Sequence, residues 1–154
     1  HLVLSTVHAN DAPATATRLV DIGIEPYLVT SAVHLVMAQR LLRKVCPNCK
    51  EPYEPDPKAV LALMGDEAEG TTFYKGGGCK QCKGRGFLGR TAVFELLEIT
   101  PALSKLIMEE ASADVLRQKA LEMGFVTLRQ NAARKARDGI TTVEEALAVS
   151  TEML

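Results

Sequence analysis

Cys46-Pro47-Asn48-Cys49 and, after a long insert, Cys79-Lys80-Gln81-Cys82 hold every cysteine of the chain. A C-x-x-C turn places two sulfurs on one side of a tight knuckle. Two knuckles facing each other make a tetrahedral four-sulfur cage, which suits Zn²⁺ with sulfurs about 2.3 Å from the metal. Pro47 and Asn48 favour the turn of the first knuckle. Gly84 and Gly86 follow the second and let the backbone fold back beneath the metal. No odd thiol is left over, and four thiolates leave no open coordination position. The reading is therefore a structural zinc site ligated by Cys46, Cys49, Cys79 and Cys82. Two disulfides, four unrelated thiols or an iron–sulfur cluster are the alternatives. Nothing resembling a secretory signal is visible, and paired C-x-x-C in a cytosolic chain favours metal over oxidation.

The rest of the chain must supply a fold around that stretch. Its 154 residues suffice for one compact domain or two small ones, and a hydrophobic content of 47% is that of a globular protein. A formal net charge of -1 gives no electrostatic case for binding nucleic acid. The most apolar run, Leu28 to Leu42, is broken by His34, Gln39 and Arg40 and is too short for a membrane span. A soluble, cytosolic protein without a transmembrane segment is expected. The chain opens without Met, directly inside an apolar run, so a fragment of something longer is expected as well.

Upstream of the first knuckle, His1-Leu2-Val3-Leu4-Ser5-Thr6 reads as a strand buried on both faces, as in a parallel sheet. A polar cluster of Ser5, Thr6, His8, Asn10 and Asp11 follows, then a helix with Asn10 or Asp11 at its cap and Pro13 in its first turn. The helix runs to about Ile22, and Gly23 stops it. Strand, polar loop and helix form half of an α/β unit, whose ligands sit beyond the carboxyl ends of strands. A second helix is expected from Pro26 to about Ala38, and a strand from Gln39 to Val45 leading into the first knuckle. His34, inside the helical run, reads as a packed or edge residue.

Downstream, Glu51 to Lys75 reads as a surface excursion. Pro52, Pro55 and Pro57 interrupt it, Asp66, Glu67 and Glu69 make its middle acidic, and a short helix from Lys58 to Met64 ends at Gly65. Arg90 to Ile99 reads as one strand, apolar apart from Glu95 and Glu98. Helices are then expected after Thr100-Pro101, after Ser112, and after Thr127, where Gln130 completes a capping box. Thr142-Val143-Glu144-Glu145 is a second capping box, opening a last helix to about Ser150.

These residues carry a resemblance. His1 to Asn10 resembles the His box of the secretion ATPase superfamily, the hexameric motors of type II secretion and type IV pilus assembly. Arg18-Leu19 with Gly23-Ile24-Glu25-Pro26 fits the same family, as does Ala38-Gln39-Arg40-Leu41 running into Cys46-Pro47-Asn48-Cys49. So do Phe87-Leu88-Gly89-Arg90 behind the second knuckle and Gly139 to Glu145 near the end. Ser31-Ala32-Val33 and the stretch Ile99 to Glu110 look more like pilus assembly motors than type II secretion motors. Pilus retraction motors lack the four-cysteine region.

The resemblance implies an α/β fold in three stretches. Residues 1–44 would be the C-terminal part of a RecA-like parallel-sheet ATPase core, 45–90 a four-cysteine zinc-binding element with an acidic insert, and 91–154 a strand with a helical C-terminal region. It implies a full-length motor that binds ATP and Mg²⁺, assembles as a hexamer of identical subunits, and works on an inner-membrane platform protein from the cytoplasmic side. His8 and His1 would lie near the nucleotide phosphates, Thr6 and Asn10 would position their loop, and Arg40 would sit in or near the nucleotide pocket.

The sequence contains no G-x-x-x-x-G-K-S/T and no Walker B acidic strand, and Gly76-Gly77-Gly78 lacks the Lys and Ser/Thr of a phosphate cradle. Phosphoryl transfer needs cradle, Mg²⁺ and a placed water together, so the chain alone is expected not to hydrolyse ATP. Two rival readings come from other classes. Cys79 to Gly86 also matches the C-x-x-C-x-G-x-G repeat of Hsp40-type chaperone zinc domains, here present once. Lys80, Lys83, Arg85 and Arg90 around the second knuckle suit a zinc ribbon that binds nucleic acid, for which salt-dependent binding would be the sign.

Overall fold

The computed structural model of the chain describes residues 1–151. Its elements in order are α1 (Ala12–Asp21), α2 (Pro26–Ala32), β1 (Leu35–Val45), β2 (Lys50–Tyr53), α3 (Pro57–Met64), β3 (Phe73–Gly76), β4 (Phe87–Glu98), α4 (Pro101–Met108), α5 (Ala113–Glu122), α6 (Leu128–Arg137) and α7 (Val143–Thr151). They form two compact units interleaved along the chain. One takes His1–Ala38 and Glu95–Val126; the other takes Gln39–Phe94 and the chain from Thr127 onward.

The helix starts follow their caps. Asp11 caps α1, its side chain accepting from the Ala14 amide, and Gly23 follows the helix with φ 96°. Thr100, Ser112 and Thr127 cap α4, α5 and α6, and the Thr127–Gln130 capping box is complete in both directions. Only half of the second box forms. Thr142 Oγ1 accepts from the Glu145 amide at 3.2 Å, but the Glu145 carboxylate turns away to Arg43.

The first unit buries Ala12 and Ala16 of α1, Val29 of α2, Leu103 and Ile107 of α4, and Leu116 and Ala120 of α5 around Val36 and Leu97. In the second, alanines 132, 133 and 136 on one face of α6 let α7 approach closely with Val143, Ala146 and Val149. Leu63 and Met64 of α3 and Phe73 of β3 are buried in this unit too.

Four expectations need correction. The sheets are two-stranded pairs, β1 with β4 and β2 with β3, not a parallel RecA-like sheet. In the first pair His34 O accepts from Ile99 N, and Cys46 N donates to Gly86 O, the order of an antiparallel ladder. The second pair is antiparallel in the register Lys50↔Gly76 to Tyr53↔Phe73. His1 to Thr6 is not a strand: Leu2 and Leu4 are 87% and 89% exposed. Three aliphatics make a doubly buried strand only where strands pair on both sides, and no described strand pairs with this run. The second helix ends at Ala32, because Leu35 to Ala38 join β1. Val33 is extended, and ladder bonds to β4 replace the helical ones. The insert, finally, is more than a surface excursion, since α3 and β3 put Leu63, Met64 and Phe73 into the core and β2 pairs with β3.

Candidate metal centre

β1 delivers Cys46 at its end, and a single 3-10 turn, Pro47–Cys49, swings Cys49 back beside it. Cys49 N donates to Cys46 O, and Gly77 N donates to Cys49 O, which ties the first knuckle to the chain entering the second. In the second knuckle Gly84 N donates to Cys79 O across the turn, where Lys83 takes the left-handed conformation at φ 54°. Two further glycines make the approach possible. A Cβ on Gly76 would fall inside the carbonyl group of Gly86, and one on Gly86 would meet Gly76 O at 2.5 Å.

The four sulfurs converge. Cys46 Sγ lies 3.9 Å from Cys79 Sγ, Cys49 Sγ 3.9 Å from Cys82 Sγ, and Cys79 Sγ 3.8 Å from Cys82 Sγ. All four lie within 4.8 Å of one another. A tetrahedron with a metal about 2.3 Å from each corner has edges of about 3.8 Å, so the cage has the dimensions of a single ion. The same distances rule out disulfides, whose sulfurs are bonded at about 2.05 Å; all four thiols are free.

The surroundings favour sulfur anions. Cys82 Sγ accepts from Cys79 N at 3.2 Å and from Gly86 N at 3.3 Å, and the Asn48 amide points at Cys79 Sγ from 3.6 Å. The Cys82 backbone N–H, then Asn48, bring the Cys79 thiol down to about 6. The Cys79 backbone N–H lowers Cys82 against the effect of burial. Burial pushes Cys49 up to about 12. A divalent cation would hold all four as thiolates, and the cage can accommodate one. One zinc per chain is the expected result of metal analysis on protein never exposed to chelator. A stoichiometry near zero with four titratable thiols would contradict it.

Behind the cage, the segment Gly139 to Glu145 fastens onto the strands that carry it. Val45 N donates to Ile140 O, and Thr141 Oγ1 donates to Arg43 O at 2.8 Å. Arg43 meets Glu145 side-on, Nη2 to Oε2 at 2.6 Å and Nε to Oε2 at 3.0 Å, while its backbone N–H donates to Oε1. The guanidinium also lies 4.4 Å from the Phe87 ring centre. Tyr53 OH donates to Glu144 Oε2 and accepts from Val143 N, satisfying a free amide at the start of α7. Burial, then the Glu144 carboxylate, raise the Tyr53 phenol.

The clasp has a pH signature. Burial disfavours the charged Glu145 carboxyl, but Arg43, through its guanidinium and backbone N–H, overcomes this and holds it below the usual carboxylate range. A depressed folded pKa adds stability that is present above the unfolded value, about 4.3, and is lost as pH falls through the folded one. Glu145→Gln is therefore expected to lower stability by about 1 kcal/mol at pH 7, discounted for the exposure of Arg43, and to cost nothing at about pH 2. Denaturant titrations of both proteins at the two pH values would check this; an equal difference at both would refute it.

The residues assigned to nucleotide lie elsewhere. His1, Thr6 and His8 are exposed in the irregular segment before α1, and Asn10 is exposed just ahead of the cap. Arg40 is half-buried on β1 and donates to Gln39 O at 3.2 Å. Asp11, and not His8, caps the helix that follows. Sequence reading passed over two partners of that helix start, Glu95 and Arg117. Glu95 showed only as a polar break in an apolar strand, and Arg117 gave no local signal.

Residues 1–148 match the family described as Type II/IV secretion system protein, and the chain belongs to it. It is 45% identical over 148 residues to the type IV pilus assembly ATPase PilB of Myxococcus xanthus, covering 94% of this chain and 26% of that protein. It is 42% identical over 154 residues to the PilB of Thermus thermophilus, covering 99% of this chain and 17% of the relative. The type II secretion system protein E of Pseudomonas aeruginosa is 44% identical over 153 residues, with 99% and 30% covered. The chain thus spans less than a third of the length of these relatives. Family membership over residues 1–148 speaks against the reading as an Hsp40-type chaperone domain. Among the described residues no helix is long and apolar enough to cross a membrane.

Proposed function

We propose that the chain is part of a hexameric motor ATPase that couples ATP hydrolysis to type IV pilus assembly or type II protein secretion, acting on a platform protein at the cytoplasmic side of the inner membrane. The observation that carries this reading is the family match over residues 1–148, with relatives named as type IV pilus assembly ATPases at 45% and 42% identity and as a type II secretion system protein E at 44%. The sequence features between Ser31 and Glu110 favour pilus assembly. In this reading residues 1–44 complete a RecA-like core supplied by the rest of the motor, 45–90 form the zinc element, and 91–154 form the helical end. The last three positions of that stretch lie outside the described residues. Zn²⁺ in the four-cysteine cage is structural, and ATP with Mg²⁺ binds in the complete protein. The chain alone, without a phosphate cradle, has no ATPase activity.

His8 is the residue of this chain assigned to the nucleotide, with His1 beside it, Thr6 and Asn10 shaping the loop, and Arg40 near the pocket. Its exposure, with the helix cap taken by Asp11, supports a ring available to a ligand. A neutral imidazole donates one hydrogen bond to a phosphate oxygen, and an imidazolium adds charge. Losing a contact made only in the transition state costs about 1.5–3 kcal/mol, or roughly ten- to a hundredfold in turnover. His8→Ala in the complete motor is expected to lower the ATPase rate by that factor, with hexamer formation and nucleotide affinity measured separately. Parental values for all three would defeat the assignment. Loss of assembly alone would place the His box between subunits.

A further inference from the structure

The start of α1 is held far more firmly than a helix cap requires. Asp11 is 3% exposed, and its two oxygens have different tasks. Oδ1 accepts from Ala14 N at 2.8 Å, and Oδ2 accepts from Arg117 Nη2 of α5 at 2.8 Å. Glu95 of β4, 2% exposed, reaches the same turn, its Oε1 accepting from Ala12 N at 2.6 Å. Pro13 has no N–H, and the two buried carboxylates take the amides on either side of it, Ala12 and Ala14, which a helix start leaves unpaired. A neutral Ser or Asn at the cap would satisfy the Ala14 amide without bringing a charge into the core. The charge is balanced by the positive end of α1 and by Arg117, whose guanidinium is 30% exposed and also lies 3.9 Å from the exposed Asp114.

That turn begins directly after His8-Ala9-Asn10. We infer that Asp11, Glu95 and Arg117 are positioning residues, which fix the His8–Asn10 loop by locking the first turn of α1 to α5 and β4. The inference rests on the nucleotide reading of His8 for its functional consequence, and on hydrogen-bond geometry alone for the positioning. Asp11 and Glu95 each hold one amide of the turn. Arg117 holds Asp11, and so connects α5 to the loop through one side chain. A shift of α5 by the length of a hydrogen bond would release Oδ2 and leave a buried carboxylate without its cation, which makes the loop sensitive to the placement of that helix.

Hydrogen exchange at the Ala12 and Ala14 amides of the 154-residue chain reads the lock directly. Arg117→Met is expected to speed exchange at both by about tenfold or more while leaving α6 unchanged. Arg117→Lys, which keeps the charge, is expected to restore most of the protection. Asp11→Asn keeps an acceptor for Ala14 but loses the ionic partner, so the Asp11→Asn/Arg117→Met pair should exchange no faster than the faster single variant. Unchanged exchange at both amides, or a uniform rise through the whole unit, would overturn the inference. In the complete motor Arg117→Met is expected to lower kcat about tenfold with KM for ATP nearly constant, and Arg117→Lys to recover it. If exchange responds and turnover does not, positioning stands and the nucleotide role of His8 fails. If His8→Ala lowers turnover and Arg117→Met changes neither exchange nor turnover, the positioning role fails and the reading of His8 stands.

Discussion

Cys82→Ser is expected to abolish metal binding and to lower the thermal midpoint of the chain by about 10 °C or more. Structural zinc contributes roughly 10–16 kcal/mol to folding in small metal-bound domains. Here the cage also has packed helices behind it, so only part of that is at stake. Even about 4 kcal/mol corresponds to about 8–16 °C for a chain of this size. Cys82 is the sensitive position because its buried sulfur accepts from both the Cys79 and Gly86 amides. Cys46→Ser should behave alike. In the complete motor both changes should alter nucleotide affinity far less than stability, since a closed four-thiolate site has no position for chemistry. The check is calorimetry with and without zinc. Midpoints equal to the parent's would mean that the metal does not support the fold.

Gly76→Ala is expected to destabilise the second unit by about 3 kcal/mol, the upper part of the usual range for overpacking. The added methyl would collide with the Gly86 carbonyl, which is backbone and cannot swing aside. Gly84→Ala is the informative comparison. Gly84 has φ 76° but nothing within 4 Å of an added Cβ, so its cost is conformational only, about 1–2 kcal/mol. Denaturant midpoints for the two variants should therefore differ, with Gly76→Ala the less stable. Equal midpoints would mean that the two glycine strands behind the cage do not touch.

What the sequence disclosed was whatever is encoded locally. Asp11, Thr100, Ser112 and Thr127 start helices within one turn of themselves, and Gly23 and Gly65 end them, so these boundaries were legible. The cysteine knuckles were legible because their spacing is short and their chemistry demands all four. What stayed hidden depends on partners distant in sequence. Tyr27, Leu28, Ala32, Leu35 and Val36 carry a helical period, yet Leu35 and Val36 became strand once β4 paired with them. Lys50 to Tyr53 has no alternation and contains Pro52, which a two-stranded edge tolerates. Glu145 read as a capping residue because Thr142 stands three positions before it. Its actual partner, Arg43, is 102 residues away.

The interleaving of the two units has a consequence for synthesis. A ribosome releases the chain from its N-terminus, and all four cysteines have emerged once Cys82 is out. The segment from Gly139 to Glu145 that fastens behind them is made only after α4, α5 and α6 have followed. Throughout that interval the nascent knuckles lack the Glu145 carboxylate that accepts from Arg43, the Ile140 carbonyl and the packing of α7. The bonds from Gly77 N to Cys49 O and from Cys46 N to Gly86 O, with the β2–β3 pair, need nothing beyond Gly86 and can join the knuckles during that interval. A zinc ion in the four-cysteine cage would add to these ties at the same stage, before the segment that fastens behind them exists.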